Sequence, residues 1–81
     1  MKVRVLFFAS LREAVGHAEM EISASSTNGL MTVLRGQLSA DALTALSAEN
    51  IRIAVNQELI EGDVELVEGD EVAFLPPVTG G

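Results

Sequence analysis

Apolar and polar residues alternate over residues 2–9. Val3, Val5 and Phe7 fall on one face, and Lys2, Arg4, Leu6 and Phe8 on the other. A period of two predicts a strand. Its second face begins charged and ends apolar, so that end is covered either by another part of the chain or by a partner. Ser10 and Glu13 have the spacing of a capping box, which predicts a short helix over residues 11–15 stopped by Gly16. Residues 18–23 alternate again, with Met20 and Ile22 against Glu19, Glu21 and Ser23, as in a half-buried strand. Ser25, Ser26 and Thr27 supply turn and cap residues ahead of the main helix. That helix is expected over residues 28–38, with Leu30, Val33, Leu34 and Leu38 on one stripe. Asn28 and Gly29 are poor helix formers, so an irregular first turn is expected. A second short helix follows over residues 39–47, turning Leu43 and Leu46 inward.

Ile51, Ile53 and Val55 share one face of a strand over residues 51–55, and Asn56-Gln57 makes a tight turn, since Asn tolerates left-handed geometry. Leu59 and Ile60 form a short returning strand. Residues 61–69 read as an acidic connection that turns at Gly62 and Gly69. In the last strand, residues 71–75, Val72 and Phe74 face the core while Ala73 and Leu75 point away. This order of elements predicts an α+β roll, a mixed sheet of about five strands packed on one main helix. The first and last strands carry the most continuous apolar runs, which places them centrally and parallel to each other.

Composition narrows the function. Eighty-one residues make one small domain, residues 1–81, of modest stability. A net charge of −7 with only five Lys plus Arg argues against nucleic acid and against an anionic membrane surface as partners. The absence of cysteine removes disulfides, thiolate metal sites and thiol catalysis, and fits a cytoplasmic protein. No signal peptide or membrane span is expected. No phosphate-binding glycine loop is present, and His17, the single histidine, lies in an expected surface loop without a nucleophile or acid patterned around it. The carboxylates of Glu58, Glu61, Asp63, Glu65, Glu68, Asp70 and Glu71 match no calcium-loop spacing and read as a solvated face. No metal site or bound cofactor is expected.

The chemistry points instead to residues 76–81. Pro76 and Pro77 cannot sit inside a central ladder and favour extended geometry, so the chain is expected to leave its last strand stiffly and outward. Those residues form a flexible tail in this reading, with a reach of roughly 20 Å at about 3.3–3.6 Å per residue. Val78 and Thr79 lead to Gly80 and Gly81, which carry no side chains. The tip can therefore enter a channel that any Cβ would block. A carboxylate is a poor electrophile at neutral pH. It becomes reactive once activated, for example as an acyl-adenylate, and this chain has no nucleotide site to do so. The acyl group would then accept sulfur, and a thiocarboxylate carries sulfur without cysteine.

Three segments carry a family resemblance. They are Val5-Leu6-Phe7-Phe8-Ala9 with Arg12-Glu13, then Val55-Asn56-Gln57, then Glu68-Gly69-Asp70-Glu71-Val72-Ala73-Phe74-Leu75-Pro76-Pro77-Val78-Thr79-Gly80-Gly81. Together they resemble the small, sulfur-carrier subunits of molybdopterin synthase. The likeness runs the whole length and is most specific at the end. It implies the ubiquitin-like β-grasp fold and a carrier that is itself non-catalytic within a sulfurtransferase complex. It implies that an ATP-using, ubiquitin-activating-like adenylyltransferase adenylates the Gly81 carboxylate, and that sulfur from a donor protein converts it to a thiocarboxylate. The tail, Pro76, Pro77, Val78, Thr79, Gly80 and Gly81, would then enter the large subunit of a heterotetramer and give sulfur to cyclic pyranopterin monophosphate in molybdenum cofactor biosynthesis. Phe8, Arg12, Leu59 and Leu75 would contact the partner. Three alternatives stay open at this point: a sulfur carrier for thiamine or tRNA thiolation, a ubiquitin-like protein modifier, and a β-grasp interaction module with an inert tail.

Overall fold

The computed structural model describes residues 1–76. Five strands form one mixed sheet: β1 (Lys2–Phe7), β2 (Glu19–Ser23), β3 (Arg52–Val55), β4 (Glu58–Leu59) and β5 (Glu71–Leu75). Their order is β2-β1-β5-β3-β4. Only the β1–β5 pair is parallel, and β5 lies at the centre beside β1. The helices are α1 (Ser10–Val15), α2 (Thr27–Gln37) and α3 (Ala40–Leu46). These agree with the elements expected from the sequence to within a residue or two.

Strand register decides which side chains meet. Val5 pairs with Met20 and Val72, and Val72 with Val55; Phe7 pairs with Phe74, and Phe74 with Ile53. These rows face the core and join Leu11, Ile22, Leu30, Leu34 and Leu46. The rings of Phe7 and Phe74 stack, with centroids 5.6 Å apart, so the parallel pair is also an aromatic pair, an arrangement that adds about 0.5–1.5 kcal/mol beyond the area buried.

Three local features differ from expectation. Ser10 does not cap α1. Ala9 holds the N-cap position at φ 50°, and no side-chain oxygen caps the helix. Leu11 N–H donates to the Phe8 carbonyl at 3.0 Å, and Arg12 N–H to that of Ala9 at 3.1 Å. The main chain thus satisfies two first-turn donors that a side-chain cap at the position of Ala9 would otherwise serve. Gly16 does stop the helix, at φ 86°, donating to the Arg12 carbonyl.

The first turn of α2 is regular despite Asn28 and Gly29. Ser26 Oγ accepts from Gly29 N–H at 3.0 Å, and Asp63 Oδ1 accepts from Asn28 N–H at 2.9 Å. An added Cβ at Gly29 would lie 3.2 Å from that serine oxygen, so glycine leaves room for the cap. The anionic Asp63 also sits well at the positive end of the helix.

The third difference concerns the acidic connection, which is more than a solvated run. It contributes Leu66 to the core at 3% exposure. Thr27 N–H donates to the Val64 carbonyl and Leu66 N–H to that of Ser25, both at 2.9 Å. Asp70 is also fixed: Oδ1 accepts from Asn56 Nδ2 and Oδ2 from Val67 N–H, each at 2.9 Å. The hydrogen bonds from Val67 and then Asn56 hold its carboxyl below its ordinary value of 3.8. A carboxylate with a depressed folded-state pKa stabilises above its unfolded value and loses that contribution as pH falls through the folded one. The gap in urea midpoint between the parent and Asp70→Asn should therefore be constant at neutral pH and shrink below about pH 4. A gap independent of pH between 3 and 7 would show that the carboxylate charge contributes nothing.

Candidate functional site

The outer face of the sheet carries the opposite set of side chains. Its first rows are charged. Arg4 Nη2 lies 3.0 Å from Glu71 Oε1, Arg4 Nε 3.9 Å from Glu19 Oε2, and Lys2 Nζ 3.7 Å from Glu21 Oε1. Such exposed pairs are worth at most about 1 kcal/mol each. Their effect is partial compensation: two cations face three carboxylates, so this half keeps a small negative excess.

The next row is apolar. Leu6 pairs with Ala73, Ala73 with Ala54, and Ala54 with Leu59. Beyond it stand Phe8, 38% exposed, and Leu75, half-buried. Leu59 is 63% exposed. Large side chains thus surround two alanines. Phe8, Ala54, Gln57, Leu59, Glu71, Ala73 and Leu75 line a groove of about 480 Å³. A second, more polar groove of about 920 Å³ lies at the end where β5 leaves the sheet, and Leu59, Leu75, Pro76, Arg52 and Ile53 are among its lining residues. Leu59 and Leu75 border both. An apolar row on the outside of a sheet, next to a row of paired charges, has the composition of a protein-docking surface.

The expected contact residues separate into three groups. Phe8, Leu59 and Leu75 converge on the first groove, and Pro76 lines the second. Arg12 is exposed on α1 and lines neither. Pro77, Val78, Thr79, Gly80 and Gly81 lie outside the described residues. Reading the sequence as separate elements missed Ala54 and Gln57. Ala54 alternates with Ile53 and Val55, so its outward direction was available from the same pattern that placed Ala73. Both alanines are nevertheless buried, at 5% and 6% exposure, because a small side chain between bulky neighbours is shaded by them.

Among the described residues, no three His, Asp or Glu side chains are grouped to hold a metal ion, and no helix is long and apolar enough to cross a membrane. His17 is exposed.

The ThiS family model matches residues 5–81. The chain is 43% identical over 82 residues to the molybdopterin synthase sulfur carrier subunit of Escherichia coli strain K12, covering 98% of this chain and 99% of that one. Among solved structures it is similar to the small archaeal modifier protein 1 of Methanosarcina acetivorans, with a TM-score of 0.82 at 28% identity over 99% of this chain and 96% of that one. It is also similar to a chain in the complex of subunits 1 and 2 of molybdopterin-converting factor from Helicobacter pylori 26695, with a TM-score of 0.79 at 29% identity over the whole of both chains. The architecture is the ubiquitin-like β-grasp. A match over nearly the full length means that the chain belongs to the ThiS family, with molybdopterin synthase sulfur carrier subunits among its relatives.

Proposed function

We propose that this chain is the sulfur carrier subunit of a molybdopterin synthase. It carries sulfur as a thiocarboxylate on Gly81 and delivers it to cyclic pyranopterin monophosphate within a complex with the large subunit. The observation that carries the reading is near-complete similarity to chains bearing that name, on a domain whose outer apolar groove adjoins the point where β5 ends at Leu75 and Pro76. A docking surface beside the root of the tail lets one partner hold the domain and receive the tip.

The chemistry is an acyl activation followed by two transfers. A Gly81 carboxylate oxygen attacks the α-phosphorus of ATP in the adenylyltransferase, and pyrophosphate leaves. Sulfide released by a donor protein attacks the acyl carbon and AMP leaves, so a C–S bond replaces the C–O bond and loss of the S–H proton gives the thiocarboxylate. The thiocarboxylate, ionised at neutral pH, attacks an oxygen-bearing side-chain carbon of the pterin precursor, so a C–S bond forms as that C–O bond breaks and the oxygen departs. Water then cleaves the acyl–sulfur link, which leaves sulfur on the pterin and returns the carboxylate. A dithiolene holds two sulfurs and each chain carries one, so each product consumes two charged chains. In this scheme the chain binds no cofactor and supplies no acid, base or metal. Its backbone supplies reach, and its outer face supplies docking.

Intact mass is the direct test. Incubation with ATP, the adenylyltransferase and a sulfur donor should replace one oxygen by sulfur. The charged chain with the large subunit should then yield dithiolene from the pterin precursor. The similarity to an archaeal modifier protein favours a second reading, attachment to protein lysines. Isopeptide adducts in place of dithiolene would establish that reading and end the first.

A further inference from the structure

Two of the three sequence segments noted above meet in space. Asn56, in the turn between β3 and β4, turns its N–H and its side-chain amide onto the corner that starts β5. Its N–H donates to the Glu71 carbonyl at 2.8 Å, its Oδ1 accepts from Glu71 N–H at 3.0 Å, and its Nδ2 donates to Asp70 Oδ1 at 2.9 Å. Asp70 Oδ2 in turn takes Val67 N–H at 2.9 Å. Beyond this clamp the hairpin rests on the β3–β5 ladder and on a short pairing of β3 with β4. β4 is two residues long, both exposed, and forms one edge of the sheet. The turn places two residues other than glycine at positive φ, Asn56 at 51° and Gln57 at 72°, which disfavours it unless the surroundings enforce it. Leu59 sits on this hairpin, largely exposed and outside the core cluster. Core packing therefore does not set where its side chain stands; the hairpin does.

We infer that the Asn56–Asp70 pair is a positioning device for partner docking, which keeps the β3–β4 hairpin and its Leu59 against the apolar groove. The inference rests on the docking reading of that groove. Asn56 touches no reacting atom and acts through Leu59. Because the clamp is built from one amide and one carboxylate on two loops far apart in sequence, it stiffens the groove's rim without adding apolar surface to the core.

The test is a double-mutant cycle on the full chain bound to the large subunit, read by calorimetric affinity and by the split between KM for the carrier and kcat. Asn56→Gly is the informative variant, because glycine adopts positive φ freely. It removes both side-chain bonds of the clamp and keeps the backbone bond to Glu71 and the turn. Each of Asn56→Gly and Leu59→Ala should weaken binding by about tenfold, as truncating an anchoring contact does, raising KM with kcat unchanged. The double variant should be no weaker than Leu59→Ala alone, since a clamp whose role is to place Leu59 has nothing to place once the side chain is gone. Effects that multiply to about a hundredfold, or Asn56→Gly binding like the parent, would overturn the inference. Should Leu59→Ala bind like the parent, the docking reading itself fails, whatever Asn56→Gly does. Amide exchange across β1 and β5 should stay at parent rates in Asn56→Gly, and exchange there at the rate of an unfolding chain would show the pair to be a general stabiliser and overturn the positioning role.

Discussion

Deletion of Gly81 should abolish sulfur transfer and leave folding untouched. The variant still ends in a carboxylate, now on Gly80, so the loss would not come from missing chemistry. It would come from reach. One extended residue is about 3.3–3.6 Å, and misplacing a reacting atom by about 1 Å already costs on the order of a hundredfold. Turnover should therefore fall by at least about a hundredfold on that scale. Among the described residues, every core residue lies between Val3 and Phe74, so the melting temperature should match that of the parent. Phe8, Leu59 and Leu75 remain, so affinity for the large subunit should change far less than turnover. Single-turnover assays with carriers charged beforehand separate the transfer step from activation. Turnover within tenfold of the parent would mean that the reach supplied by the last residue does not govern delivery.

Phe74→Ala should have the largest effect on stability. Phe74 is fully buried, lies in the central strand and stacks on Phe7 across the parallel pair. Truncating a buried Phe costs about 3–5 kcal/mol through lost transfer energy and the cavity left behind. A domain of this size has a total stability of roughly 4–12 kcal/mol, so the variant retains a small margin or none. Its melting temperature should drop by at least about 12 °C. Thermal unfolding by circular dichroism measures this directly. A drop of less than about 4 °C, equivalent to under 1 kcal/mol, would mean that the site collapses around the missing ring and that the stack adds little. Phe74→Leu keeps most of the volume and should lose much less.

The sequence by itself determined the type and order of the elements and the inward face of most strands. Alternation in Val3-Val5-Phe7 and Val72-Phe74, and the spacing of Leu30 and Leu34, leave one way to bury apolar area, and the buried residues follow it. The outward direction of Phe8 and Leu75 came from the same period of two. The turn at Asn56-Gln57 was also legible, because few residues tolerate positive φ there.

Other features depend on partners distant in the chain, and no local pattern contains them. Asp63 reads as one charge in an acidic run until the fold brings it to the start of α2, 35 residues away. That contact, with the Ser26 cap, makes regular a turn that Asn28 and Gly29 disfavour. Ser10 reads as a cap until Ala9 adopts positive φ and the main chain takes its place. Leu66 is one of three apolar residues in an otherwise acidic loop, and only the pairing of that loop with Ser25 and Thr27 puts it inside. The groove depends on register: Leu6, Ala73, Ala54 and Leu59 align because β5 lies between β1 and β3. Periodicity orients a side chain relative to its own backbone, whereas a site needs side chains from different strands at one place, and strand order with its register supplies that.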